Sequence, residues 1–300
     1  MWFKNLQVYR LATSFNSQVP ELTAKLAVHK FEPCTGSQAI SFGWTAPRGN
    51  DALVHTVNQQ IILRYTSEKK ILPPSAIAQA VKDTVAIIEQ QQGFKPGRKL
   101  MKEIKEKVIE DMLPRALSAT SNTLVWIDPI NGWVVIDASA TGRADDVLQL
   151  MLKCIDKFPI EVLRVSLSPI AAMTDWLSKD ESPAGFTIDQ DTELRSSSES
   201  KASIRYVRHT LEPTEIARHI ASGKQCVKLA LTWSDKVSFV LTENLVFKRI
   251  KALNILTEKS KAEDEQDQRD SDFALMAGEI NSMLTDLVTA LCGESVVAHT

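Results

Sequence analysis

Cysteine and histidine are scarce in this chain of 300 residues, which has four cysteines and five histidines. No two cysteines form a C-x-x-C pair, so the sequence contains neither a zinc ribbon nor a thiol redox motif. The histidines show no metal-ligand spacing with cysteine or with each other. Scattered cysteines are typical of reduced, partly buried thiols in a cytosolic protein. They are Cys34, Cys154, Cys226 and Cys292.

Long apolar runs are also missing. No window approaches 18 uncharged apolar residues, which excludes a membrane-spanning helix. Lys4 and Arg10 interrupt the apolar N-terminus, so it lacks the hydrophobic region of a signal peptide. We therefore expect a cytoplasmic protein.

Enzyme signatures are absent as well. The chain has no G-x-S-x-G, H-E-x-x-H or G-x-x-x-x-G-K-[ST] motif. Ser67 and Lys70 match the spacing of S-x-x-K, but the motifs that accompany it elsewhere are missing. The sequence predicts a protein that is not an enzyme and needs no cofactor or metal.

The overall charge excludes a generally basic nucleic-acid-binding chain. There are 35 Lys and Arg residues against 37 Asp and Glu residues, a formal charge of −2. Any electrostatic binding site must therefore be a local patch. The apolar share of 44% and the charged share of 24% are ordinary for a globular protein, which excludes a disordered chain and a long coiled coil.

Strand and helix patterns alternate along the chain and predict an α+β fold in three parts. Strands are expected at 2–11, 39–44, 53–65, 123–127, 133–137 and 162–167, and a Ser178–Gly185 linker precedes further strands and helices. Glu258–Asp272 forms a charged run, which is followed by a long amphipathic helix ending at Gly293.

Residues 73–117 carry a different pattern. Apolar residues recur every four positions on both sides of Pro96-Gly97, first from Ile77 to Ile88 and then from Leu100 to Met112. Two helices joined by a short loop are predicted. Because each apolar stripe has only one residue per turn, packing of the two helices on each other nearly exhausts it. We therefore expect a projecting helical hairpin.

The second of these helices carries a cluster of cations, called here the first basic cluster. Positions 95 to 107 contain six cations and two acids, so the net charge of this segment is +4. Arg98, Lys102 and Lys105 stand at i, i+4 and i+7, so a helix displays them in one stripe. Such a stripe suits DNA phosphates, although a solvated face with pairs such as Glu103–Lys107 would look the same. The candidate DNA contacts are Lys95, Arg98, Lys99, Lys102 and Lys105.

The last third of the chain contains a second group of cations, called here the second basic cluster. Arg205 and Arg208 lie close together in sequence, beside Lys201 and His209. Arg249 and Lys251 share one face of a predicted strand, opposite Ile250. They are further candidate DNA contacts. The alternative is that they are ordinary solvent-exposed charges on the surface of a sheet. The second basic cluster is Arg205, Arg208, Arg249 and Lys251.

An acidic run offers a different function. Six carboxylates between positions 263 and 272 resemble the ligands of a two-metal nuclease, but a continuous polar tract is more typical of a solvated face. They are Glu263, Asp264, Glu265, Asp267, Asp270 and Asp272.

Several long segments, distributed over the whole chain, form a recognisable set. In the first part of the chain they are MWFKNLQVYRL, CTGSQAISFGW followed by Pro47, DALVHTVNQQI and KILPPSAI. Further along they are LPRALS, VWIDPINGW, EIARHIASGK, KLALTW, SFVL and DFALMAGEI. Together they resemble the RdgC family, the bacterial recombination-associated proteins. Between Glu181 and Ser200 the pattern is too loose for transfer of individual residues.

The resemblance implies a non-enzymatic, nucleoid-associated protein that binds duplex DNA with little sequence preference. It further implies a ring-shaped homodimer around a positively lined hole, and antagonism of the RecA recombinase. Single-stranded DNA is a second candidate ligand. The family architecture implies a central domain of 1–72 and 118–180, a finger of 73–117 and a base of 181–300. Ring contacts are expected from the finger tips and the base. A scaffold that never touches DNA and a metal-dependent nuclease remain alternatives.

Overall fold

The computed structural model describes residues 2–295 apart from 13–14, 16–17, 50, 199–200 and 254–264. The chain forms two compact units. Unit 1 comprises Met1–Val19, Val54–Ile62 and Leu124–Thr300, and unit 2 comprises Pro20–Leu53 and Leu63–Thr123. The predicted division into a central domain, a finger and a base stays a prediction.

The described residues form a mixed α and β structure of twelve strands and seven α-helices, in agreement with the predicted fold class. The elements are, in order, β1 Leu6–Leu11, α1 Val19–Ala27, β2 Ile40–Thr45, β3 His55–Val57, β4 Gln60–Lys70, α2 Pro74–Gln92, α3 Arg98–Met112, β5 Ser118–Asp128, β6 Trp133–Ile136, α4 Thr141–Cys154, β7 Ile160–Val162, α5 Pro169–Lys179, β8 Phe186–Ser196, β9 Ser203–Tyr206, α6 Pro213–Ala221, β10 Lys224–Trp233, β11 Val237–Thr242, β12 Val246–Ala252 and α7 Glu265–Ala290. None of the described helices is long and apolar enough to cross a membrane.

Unit 1 is built on a large antiparallel sheet in the order β6-β1-β12-β11-β10-β8-β9. The apolar face of α7 contributes to its core, where Phe273, Met276 and Ile280 are fully or almost fully buried beside sheet residues such as Phe247. The alternation of Val227, Leu229 and Leu231 along β10 predicts this strand, and its pairing with β11 confirms the prediction.

Two strand predictions need correction, and one strand is missing from the predictions. The strand expected at 162–167 ends at Val162, and Val165 forms only an isolated bridge with Glu294. The strand expected over 53–65 is a hairpin, because Asn58 and Gln59 adopt left-handed φ values of 50° and 66°. Two adjacent left-handed residues form the tight turn between β3 and β4. Strand β8 was not predicted at all.

Unit 2 contains β2, the second part of β4, the first part of β5 and three helices. Its buried side chains include Leu22 and Leu26 of α1 and the aromatic rings of Trp44 and Tyr65. The two rings pack edge to face, with centroids 6.2 Å apart. Aromatic pairs prefer this geometry, which holds β2 and β4 in register.

Helices α2 and α3 occupy the range in which two helices are predicted, and they pack against each other. α2 has no fully buried residue, and α3 buries only Ile104 and Val108. Gly93 ends α2 in a left-handed conformation with φ of 78°, as its sequence position predicts. Most of the surface of this helix pair is therefore exposed. That the pair projects as an arm stays a prediction.

Hydrogen bonds link the two ends of the chain segment that contains α2 and α3, which we call the root of the helix pair. Lys70 Nζ donates to the carbonyl oxygens of Leu113 (2.8 Å) and Gly36 (2.9 Å). The backbone N–H of Ile71 donates to the carbonyl of Leu117 at 2.7 Å. The segment that enters α2 is thus bonded to the segment that leaves α3.

Candidate nucleic-acid interface

The first basic cluster lies on the exposed side of α3. Arg98, Lys102 and Lys105 fall within the helix and are exposed, whereas Ile104 and Val108 are buried. Lys95 and Lys99 are exposed as well. Among the described residues, one ion pair involves these cations, between Lys102 Nζ and Glu106 Oε1 at 3.7 Å. Its side chains are 79% and 64% exposed, so water screens the pair and Lys102 remains available to a ligand.

The N-terminal end of α3 departs from the usual charge preference of helices. The helix begins with Arg98 and Lys99 and has no acid in its first turn, and its N-cap residue, Gly97, has no side chain that could cap the helix. The partial positive charge at this end of a helix favours acids over cations. Sequences often break a local preference where function selects the residues. A bound anion would relieve the repulsion.

The second basic cluster is gathered on one side of unit 1. Arg249 and Lys251 line an open groove of about 560 Å³ on the strands of the large sheet. Ile250, between them, is buried, which confirms that the two cations share a face. Arg205 and Arg249 line a smaller adjoining depression.

Carboxylates of β8 accompany these cations. Arg249 Nη2 donates to Asp191 Oδ2 at 2.9 Å, and the backbone N–H of Arg208 donates to Asp191 Oδ1 at 2.7 Å. The Arg208 hydrogen bond, supported by Arg249, holds the pKa of Asp191 below its ordinary value. The charge of Arg249 is therefore already partly neutralised by the protein.

A second carboxylate on β8 is held in the same way. Glu193 accepts hydrogen bonds from Lys228 Nζ at 2.6 Å and from Arg195 Nη2 at 3.2 Å. These contacts, with that of Lys228 the strongest, lower the pKa of Glu193. The Glu193 side chain is only 14% exposed, so water screens its attraction to Lys228 and Arg195 less than it screens the ion pair on α3.

These carboxylates are not among the sequence predictions, because no strand is predicted between the Ser178–Gly185 linker and Ile204. The signal lies in the alternation of Asp191 and Glu193, which places two acids on one side of a strand. Their interior counterparts are Thr192 and Leu194, both buried.

Described carboxylates of the acidic run contact neighbouring side chains, among them His55. Glu263 and Asp264 lie outside the described residues. Both carboxylate oxygens of Asp270 contact His55 Nε2, at 2.9 and 3.0 Å, and Asp272 Oδ1 accepts a hydrogen bond from Gln268. Within the part of the chain that the structure describes, no group of three or more His, Cys, Asp or Glu residues is placed to hold a metal ion.

The cysteines are free thiols of differing exposure. Cys226 is fully buried, and burial raises the pKa of its thiol to about 12. Cys34 and Cys154 are half-buried, as expected. Cys292 is exposed, contrary to the expectation of burial, because it lies in the turn that follows α7.

Comparison with known proteins matches residues 1–294 to a family model described as "Putative exonuclease, RdgC". The chain belongs to the RdgC family. It is 54% identical over 296 residues to the recombination-associated protein RdgC of Janthinobacterium sp. (strain Marseille), covering 98% of this chain and 99% of that protein. The proteins of the same name from Herminiimonas arsenicoxydans and Bordetella pertussis are 53% and 49% identical over 296 and 299 residues. Coverage is 98% and 99% of this chain, and 99% and 100% of those proteins. The resemblance found in the sequence is thereby confirmed.

Proposed function

We propose that this RdgC-family protein binds duplex DNA without sequence preference through its phosphates. The observation that carries the proposal is the first basic cluster, in which exposed cations line α3 and occupy an N-terminal turn that lacks any acid. Cations on a helix surface fit the spacing of a phosphate backbone without reading base edges. The names of the relatives, which associate them with recombination, agree with a DNA ligand.

The protein acts as a homodimer that encircles DNA, in the cytoplasm and associated with the nucleoid. Exposed apolar side chains near the loop between α2 and α3 support a contact between copies at this end of the helix pair. Phe94 is 64% exposed, Ile87 is 56% exposed and Met101 is 36% exposed. Exposed apolar groups that lie close together mark interaction sites more often than chance. The base supplies the second contact of the ring.

Occupation of DNA limits RecA-dependent recombination, because a recombinase filament cannot use a duplex that is already covered. This passive mechanism needs no catalytic step. A scaffold that never touches DNA is the alternative, and it predicts no retention of DNA at any salt concentration.

A metal-dependent nuclease is a second candidate, favoured by the description of the matching family model as an exonuclease. It predicts release of nucleotides from an end-labelled duplex in the presence of Mg²⁺. Retention of full-length label under those conditions would argue against it.

The test of the proposal is a binding titration with several unrelated duplexes of equal length across a salt series. We expect log affinity to fall linearly with log salt, by about 0.9 per neutralised phosphate, and to be nearly independent of sequence. Differences above roughly tenfold between duplexes at one salt concentration would contradict phosphate-based binding. Slower dissociation from a closed circle than from a linear duplex would support encirclement.

The antagonism of RecA has its own test, which is strand exchange at fixed recombinase with the amount of DNA varied. Inhibition should follow the coverage of DNA and disappear when competitor duplex is added first. Inhibition that follows the ratio of this protein to RecA instead would indicate direct contact with the recombinase.

A further inference from the structure

A mostly exposed loop of unit 2, residues 32–39, is held by two side chains of β4. Glu68 accepts a hydrogen bond from the backbone N–H of Cys34 at 2.8 Å, and Lys70 Nζ donates to the carbonyl oxygen of Gly36 at 2.9 Å. Because residues i and i+2 of a strand point to the same face, both contacts are made on one face of β4. We call residues 32–39 the latch loop.

The same two side chains also hold the segment that leaves α3. Glu68 accepts a hydrogen bond from the side chain of Ser118, the first residue of β5, and Lys70 Nζ donates to the carbonyl oxygen of Leu113 at 2.8 Å. The hydrogen bond from Ser118, followed by that from Cys34, lowers the pKa of Glu68, so this carboxylate is charged at neutral pH. Each side chain therefore bridges the latch loop and the exit from α3.

The contact with Leu113 acts on the end of a helix. α3 ends at Met112, Leu113 is its C-cap residue, and the last carbonyl groups of a helix lack partners within it. The ammonium group of Lys70 supplies a donor there, and its positive charge is favoured by the partial negative charge at a helix C-terminus. The end of α3 thus depends on a side chain that the latch loop also contacts.

The helix pair has little other packing that would resist movement at its root. Among the described elements, α2 and α3 pack mainly against each other. α2 has no fully buried residue, and the two buried residues of α3 are Ile104 and Val108. Regions with few buried contacts open at low free-energy cost, so polar contacts at the root weigh heavily in fixing the orientation of the pair.

We propose that the latch loop controls the orientation of the helix pair, and that its release from Glu68 and Lys70 permits the movement that opens the ring for DNA. The inference rests on the proposed encirclement of DNA and names a part of the chain that regulates it. A closed ring enters a circular duplex only if a contact between copies opens. The far end of the helix pair is one of the proposed contacts, so freedom at the root favours its opening.

The first measurement uses the free protein and needs no DNA. Cys34 is half-buried and its thiol donates to the carbonyl of Glu68 at 3.6 Å, so its rate of alkylation by N-ethylmaleimide, followed by peptide mass spectrometry, measures release of the latch loop. Lys70→Met should raise this rate and the amide exchange rates in α3 at least about threefold each. Lys70→Arg keeps the charge and the donors, and should restore both rates toward those of wild type.

Lys69→Met is the matched control. Lys69 is exposed, carries the same charge and alternates to the other face of β4. It should change neither the alkylation of Cys34 nor the exchange in α3. If Lys70→Met fails to fold, Glu68→Gln tests the second bridge and should raise both rates in the same direction.

The second measurement compares a closed circular duplex with the same duplex made linear. Lys70→Met should speed association with the circle, and dissociation from it, at least about threefold, because the contact between copies opens more often. The rates on the linear duplex should stay unchanged, since free ends allow a closed ring to thread on and slide off.

Two results would overturn the inference. Faster alkylation of Cys34 without faster exchange in α3 would show that the latch loop does not control the helix pair. Faster exchange in α3 with unchanged rates on the circle would show that this movement does not admit DNA. Failure of the proposed function has a different appearance: wild type would retain neither duplex, which removes the role in DNA entry, while the effects of Lys70→Met on the free protein would remain.

Discussion

The two basic clusters are similar in sequence, but the groups that surround their cations differ. On α3, the single ion pair among the described residues joins two side chains that are mostly exposed. In unit 1, Asp191 holds Arg249 and the backbone of Arg208. The first cluster therefore presents cations to a ligand, whereas the second has been partly neutralised within the fold.

This contrast shows that a count of cations does not locate a polyanion site. An arginine that is paired with a carboxylate keeps that negative charge beside it, and the carboxylate repels an approaching phosphate. A cation held only by a screened surface pair has no such cost. We therefore expect most of the duplex affinity to come from the first basic cluster.

The largest effect is expected when Arg98, Lys102 and Lys105 are all changed to Ala. Duplex affinity should fall at least about tenfold at low salt, and the slope of log affinity against log salt should decrease by up to about 2.7, since three phosphate contacts are lost. Thermal unfolding should change little, because exposed substitutions of this kind usually cost less than about 0.5 kcal/mol each.

The control for this triple variant removes the same charge elsewhere. Lys153, Arg164 and Arg218 are exposed in unit 1, and their change to Ala lowers the net charge equally. If the control weakens binding as much as the α3 variant, the effect is one of net charge and the contrast between the clusters fails.

A smaller effect is expected on stability when Glu193 is changed to Gln. Loss of the contacts with Lys228 and Arg195 should lower the free energy of unfolding by about 1–2 kcal/mol at pH 7, discounted for the partial exposure of both cations. The pKa of Glu193 is lowered in the folded protein, so its contribution is complete above the ordinary value of 4.5 and is lost as the pH falls below it.

Denaturant unfolding of wild type and Glu193→Gln at several pH values measures this contribution. The difference between the two proteins should shrink below pH 4.5. Glu181→Gln, in the exposed turn after α5, should have no such effect. A constant difference at all pH values would show that packing rather than charge is responsible.

The smallest effect is expected when Asp191 is changed to Asn. Release of Arg249 and removal of a negative charge should raise duplex affinity by up to about threefold, since one more cation becomes available. In an Arg249→Ala background the same change should have less effect, and the double-mutant cycle measures the coupling. Independent effects would mean that the Asp191–Arg249 contact does not control access to the second cluster.

The sequence predicts the arrangement on α3 well because that arrangement is local. Cations at i, i+4 and i+7 share a helix face whatever the rest of the chain does. Gly93 and the Pro96-Gly97 pair mark the limits of the two helices equally locally. The family segments add the class of protein, and the comparisons confirm it.

The second cluster was harder to predict because its character depends on pairs that are distant in sequence. Asp191 and Arg249 are 58 positions apart, and only the order β12-β11-β10-β8 brings them together. The β3–β4 turn was missed for another reason. Asn58 gives some indication of a left-handed turn, but Gln59 does not, since that conformation normally selects Gly.

The hydrogen bonds of Lys70 at the root of the helix pair have a mechanical consequence. With 19 residues, α2 is about 28 Å long. A tilt of about 10° at its base would therefore displace its far end by about 5 Å, close to the rise of one full helical turn. Lys70 lies at the base of the helix pair. A small change in its distances to Leu113 and Gly36 would therefore produce a larger displacement at the far end of the helices. Phe94 lies at the far end, so its position depends on the hydrogen bonds at the base, which are those of Lys70 and the one between Ile71 and Leu117.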